Sequence, residues 1–304
     1  MTKKIAVIND LSGFGRCSLT AAISVISAMG IQACPLPTAI LTAQTGYPHY
    51  YLDDYTDKMD IYRQEWQKMG QHFDGIYTGF VASEAQIDQI FHFIDTFYTS
   101  DTFLLVDPVM GDDGIKYDMF TPKLLEKMNA LVGEADIITP NLTELCLLTD
   151  ADYDAIIDIA DTRILIDVIG ELASTLLPPD SDNSNTLDSR QTSKKEKEII
   201  VTGIHCKNEH GQKMMGNLYV SKDTRKLFAF PHVGGSYSGT GDLFASCIAA
   251  GKCRGDGIPE LIQLSGTFLE QAIKDSAEEN VPYPDGTNYE KYLYMLIKNR
   301  VLTL

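Results

Sequence analysis

Short apolar runs recur along this chain, and each closes on polar or turn-forming residues. Ile5–Ile8 runs into Asn9-Asp10, residues 75–78 into Thr78-Gly79, and Phe103–Val106 into Asp107-Pro108. Residues 136–139 run into Pro140-Asn141, and Ile199–Thr202 closes at Thr202-Gly203. Helical patterns lie between them, at 17–29, 59–73, 84–98, 122–132, 142–149 and 162–177, with three more near 240–251, 258–275 and 288–299. Strands that are apolar throughout, separated by helices, predict a parallel sheet covered on both faces. The expected fold class is therefore α/β, a doubly wound, mostly parallel central sheet. A strand at 33–41 carries Pro35 and Pro37, which predicts an edge or a bulge, and two hairpin-like strands are expected near 217–221 and 226–230. Ligands of open α/β sheets bind beyond the carboxyl ends of the strands. The punctuating residues are thus the first candidates for a site.

A chain of 304 residues with 44% hydrophobic and 22% charged residues suits one large domain, 1–304. One stretch departs from that composition: residues 178–198 hold Leu187 as their one large apolar side chain. A mobile surface loop without a catalytic role is expected there. Twenty-five basic against 42 acidic side chains give a net charge of −17. Such a surface repels phosphate backbones and anionic lipid, so neither nucleic acid nor a membrane is an expected partner. The apolar stretch at 5–8 is too short for a signal or membrane segment, and a cytoplasmic protein is expected. Six scattered cysteines without a C-x-x-C pair argue against a zinc site or a disulfide scaffold.

The chemistry gathers in three motifs. Gly239-Thr240-Gly241-Asp242 opens a helical run. Its glycines allow a tight turn, and a helix N-terminus offers unpaired N–H groups to an anion. Asp242 reads either as a helix N-terminal carboxylate or as a general base beside that anion site. Asp107-Pro108-Val109-Met110-Gly111-Asp112 places two carboxylates after a strand. Asn141 and Glu144 lie one helical turn apart after the next, where they read as a cap and its partner or as part of a hard-oxygen set for Mg²⁺. No P-loop is present, and Gly13-Phe14-Gly15 lacks the third glycine of a dinucleotide fingerprint.

Together with Thr139-Pro140-Asn141-Leu142-Thr143-Glu144, these motifs resemble the ribokinase-like superfamily. Within it the chain looks most like the vitamin B6 (pyridoxal/pyridoxine/pyridoxamine) kinases, a likeness supported by Asp10-Leu11-Ser12-Gly13-Phe14-Gly15-Arg16-Cys17-Ser18 and Thr45-Gly46-Tyr47. The resemblance implies an ATP-dependent transfer to the 5′-hydroxymethyl group of a B6 vitamer. Asp242 would be the base, and the N–H groups of Gly239, Thr240 and Gly241 would hold the charge developing on the transferred phosphoryl group. Asp107, Asp112 and Glu144 would organise Mg²⁺, with Asn141 beside the ATP phosphates and K⁺ or another monovalent cation near Asp107. Thr202 and Gly203 would lie against the phosphates and ribose, and Val233 beside the adenine. Asp10, Gln44, Thr45 and Phe80 would face the acceptor ring, although Phe80 also reads as plain core and Thr45 as a turn former. A homodimer is expected by the same resemblance.

One position departs. Many B6 kinases carry His where this chain has Gln44. An Ala-Gln sequence there is similar to hydroxymethylpyrimidine kinases, whose aminopyrimidine suits an amide. Those kinases usually end the glycine motif in Cys rather than Asp. Hydroxymethylpyrimidine kinase is therefore the alternative activity, and a non-catalytic nucleotide-binding protein the alternative of another class. A sugar or nucleoside kinase would usually add a strand lid early in the chain, and no clear insertion of that kind is visible between Ile31 and Tyr77.

Overall fold

The structure, a computed structural model, describes residues 2–179 and 195–297. β1 (Lys4–Ser12) leads into α1 (Ser18–Ala28), β2 (Gln32–Leu41), the short β3 (Leu52–Asp54) and α2 (Thr56–Lys68). β4 (Gly75–Thr78), α3 (Glu84–Phe97) and β5 (Phe103–Val106) follow. A small hairpin, β6 (Gly111–Asp112) and β7 (Ile115–Lys116), precedes α4 (Pro122–Glu134), β8 (Ile137–Ile138) and α5 (Leu142–Thr149). Next come α6 (Tyr153–Ile157), α7 (Thr162–Ser174) and the strands β9 (Glu198–Lys207), β10 (Lys213–Val220) and β11 (Arg225–Pro231). α8 (Thr240–Arg254), α9 (Ile258–Glu278) and two 3₁₀ segments, Tyr283–Asp285 and Tyr289–Leu296, complete the described chain.

Nine strands form the main sheet in the order β11-β10-β9-β8-β5-β4-β1-β2-β3. The six from β9 to β2 run parallel, and β3, β10 and β11 are added through antiparallel pairings. Alternate side chains of each central strand enter different cores. Ala6, Ile8, Ile76, Leu104 and Val106 pack under α2 to α7. Ile5, Val7, Tyr77 and Leu105 pack under α1, α8 and α9. The doubly wound, mostly parallel α/β fold is thus present, with helices on both faces. The chain leaves β1 first to one side, for β2, and then to the other, for β4. The carboxyl end of β1 is therefore a topological switch point, where a crevice opens.

Two expectations need correction, and the edge or bulge expected at Pro35 and Pro37 is present as a bulge. β2 is not the edge strand along its whole length, because β3 pairs with Ala39–Leu41; Pro35 and Pro37 sit on the stretch that β3 leaves unpaired. A bulge beside them separates Asn9 from Leu11 in the pairing with β1. β9 does not stop at Gly203 but runs to Lys207. Val201 pairs with Leu218 and Ile204 with Gly216, so Thr202 and Gly203 together face Asn217. Gly203, at φ +72°, supplies the left-handed residue that makes this a bulge rather than an end. The last helix is 3₁₀ over Tyr289–Leu296. Of the expected loop at 178–198, residues 180–194 lie outside the described residues.

Candidate active site

A cleft of about 690 Å³ opens over the carboxyl ends of β1, β4, β5, β8 and β9, against the N-terminus of α8. Its lining carries six carboxylates (Asp10, Asp107, Asp112, Asp118, Glu144 and Asp242) and, among the described residues, no Lys or Arg. Backbone N–H groups, and cations that an anionic ligand brings with it, can hold such a ligand there.

Gly239 caps α8 in the left-handed conformation, φ +82°. A Cβ on it would sit 2.2 Å from the Arg16 carbonyl and 2.9 Å from Cys17 Cα, so the close approach of the turn to the start of α1 needs glycine. The first N–H groups of α8 have no partner within the helix, and Asp242 stands beside them in its first turn. Asn9 Nδ2 donates to Asp242 Oδ1 at 2.9 Å. Burial pushes the Asp242 carboxyl up to about 6; the Ser18 and Asn9 hydrogen bonds pull it down, while the neighbouring Asp10 charge adds to the rise.

Across the cleft, Asn141 and Glu144 form a full capping box on α5. The Asn141 N–H donates to Glu144 Oε2 at 2.8 Å, and the Glu144 N–H donates to Asn141 Oδ1 at 2.9 Å. Capping does not exhaust either side chain. Glu144 Oε1 also accepts the Met110 N–H at 3.1 Å, and Asn141 Nδ2 donates to the Gly111 carbonyl at 2.8 Å. The Gly114 N–H donates to Thr143 Oγ1 at 2.8 Å, so the β6–β7 hairpin hangs on the first turn of α5. Asp107 accepts the Thr139 hydroxyl at 2.8 Å. Burial raises the Asp107 carboxyl, and the Asp242 charge adds to it. Glu144 is raised by burial first and by Asp107 next. Buried carboxylates that repel one another are a donor set that a hard cation would relieve. Asp107, Asp112 and Glu144 do not by themselves form a preassembled ligand shell: no three His, Cys, Asp or Glu side chains among the described residues are grouped for a metal. A divalent cation there would need phosphate oxygens and waters to complete its shell beside one or two of these carboxylates.

The acceptor end holds Asp10, Ser12, Gln44, Thr45, Tyr50, Phe80 and Tyr283. Asp10 is almost fully buried and accepts the Ser12 hydroxyl at 2.8 Å; burial raises its carboxyl against hydrogen bonds from Ser18 and Ser12. Phe80 is pinned through its backbone, its N–H donating to Asn9 Oδ1 at 2.9 Å and its carbonyl accepting Thr38 Oγ1 at 3.0 Å. Gln44 is spent largely on the protein itself. Its Oε1 accepts the Gly46 N–H at 2.7 Å and its Nε2 donates to the Pro284 carbonyl at 3.0 Å. Tyr47 adds a 2.6 Å bond from its hydroxyl to Asp285. Gln44 thus braces the 44–47 loop against the 283–286 segment.

The structure brings Asp10, Gln44, Thr45, Phe80, Asp107, Asp112, Asn141, Glu144, Thr202 and the Gly239–Asp242 turn to one cleft. Gly203 and Val233 are not part of its lining. Gly203 lies in the β9 bulge and Val233 in the turn after β11. Sequence reasoning passed over Ser12, Ser18, Tyr50, Tyr117 and Tyr283, and it read Asn9 as punctuation only. The position of Asn9 at a strand end beside Asp10 was the one available signal.

Comparison with known proteins gives this site a family. A Bacteroides thetaiotaomicron structure provisionally described as a phosphomethylpyrimidine kinase, in a crystal form with pyridoxal, is similar at TM-score 0.82 and 33% identity, covering 97% of this chain and 96% of that one. A Leishmania donovani pyridoxal kinase in complex with ADP and pyridoxamine shares the fold at TM-score 0.76 and 19% identity, covering 97% and 95% of the two chains. A Schizosaccharomyces pombe protein provisionally named a pyridoxal kinase is 28% identical over 194 residues. That match takes in 63% of this chain and spans half the length of the yeast protein. The phosphomethylpyrimidine kinase family matches residues 15–176 and 171–283, and the chain belongs to it, among the ribokinase-like kinases that include the pyridoxal kinases.

Proposed function

We propose that this protein is an ATP-dependent kinase that phosphorylates the 5′-hydroxymethyl group of a B6 vitamer. The observation that carries the reading is Asp242, a carboxylate with its proton affinity raised to about 6, set one residue beyond a glycine turn at a helix N-terminus. Asp242 takes the proton of the acceptor hydroxyl as its oxygen bonds to the γ-phosphorus and the bond to ADP breaks. The N–H groups of Gly239, Thr240 and Gly241 hold the charge on the transferring oxygens. Asp107, Asp112 and Glu144 hold Mg²⁺, which when bound neutralises the phosphate oxygens. Asn141 and Thr202 form the nucleotide side, with Gly203 and Val233 outside the cleft lining, and a monovalent cation would be held near Asp107. Asp10 and Ser12 meet the polar substituents of the ring, and Phe80 meets its face. The same reading carries a homodimer, which sedimentation would test.

Two observations support a pyridine over a pyrimidine. A relative 33% identical is described with pyridoxal. Gln44, the residue that most suggested an aminopyrimidine, has its amide committed to Gly46 and Pro284. The name of the family itself favours the second reading, hydroxymethylpyrimidine kinase. An ADP-release assay with Mg-ATP and pyridoxal, pyridoxine, pyridoxamine or hydroxymethylpyrimidine decides. Turnover confined to the pyridines is expected, a preference for hydroxymethylpyrimidine would install the second reading, and no ADP release with any acceptor would leave a nucleotide-binding protein.

A further inference from the structure

A base must present a lone pair to its substrate in a defined direction, and for Asp242 that direction is set from below the cleft. Asn9 is fully buried at the end of β1 and does not line the cleft. Its Oδ1 accepts two main-chain N–H groups, those of Asp10 and Phe80, both at 2.9 Å. Two N–H donors on one atom of an amide identify that atom as the oxygen. The amide therefore cannot flip without abandoning both, and its NH₂ group is left facing Asp242 Oδ1 at 2.9 Å. Gly79 closes the other side, where a Cβ would lie 2.4 Å from Asn9 Nδ2.

We propose that Asn9 is a positioning residue for phosphoryl transfer. Its locked amide fixes the rotation of the Asp242 carboxylate, so that one lone pair stays aimed at the acceptor hydroxyl. The same bond favours the ionised carboxylate that accepts a proton. Asn9 touches neither substrate, so its effect falls on the chemical step rather than on binding. The inference rests on the reading of Asp242 as the base.

The test is a double-mutant cycle of Asn9→Ser and Asp242→Asn, measured with Mg-ATP and the best acceptor. Serine can still accept one of the two N–H groups but is too short to reach Asp242. The expected result is a kcat at least tenfold lower for Asn9→Ser, with both KM values within threefold of wild type. In the Asp242→Asn background the same substitution is expected to change the residual kcat less than twofold. Asn9→Asp, which keeps both acceptors but sets a second carboxylate against Asp242, should lose at least as much kcat and recover part of it at higher pH. An unchanged kcat in a folded Asn9→Ser variant overturns the inference while leaving the kinase reading intact. An equal loss in both backgrounds, or a loss carried by KM, also overturns it, because either marks a general structural role. Failure of both Asn9 variants to fold would assign the residue to strand-end stability and overturn it as well. A wild type that phosphorylates no acceptor would instead overturn the kinase reading, and the inference with it.

Discussion

Asp242 sets a conflict between chemistry and stability. Its carboxyl is raised by burial, so the folded state binds a proton more tightly than the unfolded chain does. Above the ordinary carboxylate range the protein therefore holds a charge at a cost, and replacing it should stabilise the fold. Asp242→Asn is expected to lower kcat by about 10²–10⁴-fold and to raise the midpoint of thermal unfolding at pH 7.5 by a few degrees. A mutant less stable than wild type would contradict the burial argument. In wild type, kcat/KM should fall below about pH 6, where Asp242 in the free enzyme takes up its proton. Gly239→Ala asks a different question. It places a Cβ 2.2 Å from a main-chain oxygen at φ +82°. The expected result is a loss of more than 100-fold in kcat/KM and a destabilisation of about 2 kcal/mol, of the order reported for strained backbone, read by activity and chemical denaturation.

At the scale of elements, legibility followed locality. The glycine turn of α8, the Asn141–Glu144 pair and Asp107 were visible because each is a short motif at the end of an apolar run. β3, β6 and β7 were not, since strands of two or three residues have no periodicity and exist by virtue of their partners. The β9 bulge was hidden for the same reason: Gly203 ends a strand or kinks one according to what lies opposite it. Asn9 was hidden by distance, 233 positions from the carboxylate it holds. Gln44 was visible as a residue type but misleading as a contact, because its partner, Pro284, lies 240 positions away. That brace yields a further prediction. Gln44→Ala should free the 44–47 loop from the 283–286 segment and raise the acceptor KM about tenfold, with kcat changed less than threefold. A kcat effect larger than the KM effect would place Gln44 in the chemistry instead.

The whole molecule carries a net charge of −17, and its cleft concentrates that sign. Asp10, Asp107, Glu144 and Asp242 are all raised by burial, with neighbouring carboxylates adding to the rise at Asp107, Glu144 and Asp242. For each, the folded state retains protons that the unfolded chain has released, so stability without ligands should fall as pH rises from about 4 towards 7. Mg-ATP should reverse most of that fall. Thermal unfolding across this range, with and without Mg-ATP, checks both expectations, and stability that rises between pH 4 and 7 in the ligand-free protein would contradict them.

The brace between Gln44 and Pro284, the Arg16–Asp285 contact and the Asn9–Asp242 bond all join the two ends of the chain. During synthesis the parallel strands up to β9 can begin to pair before the α8 and 283–286 segments have emerged, and those segments supply one wall of the cleft and Asp242. On the proposed reading, partly made chains would therefore be enzymatically silent until α8 and the 283–286 segment pack against β1 and the 44–47 loop.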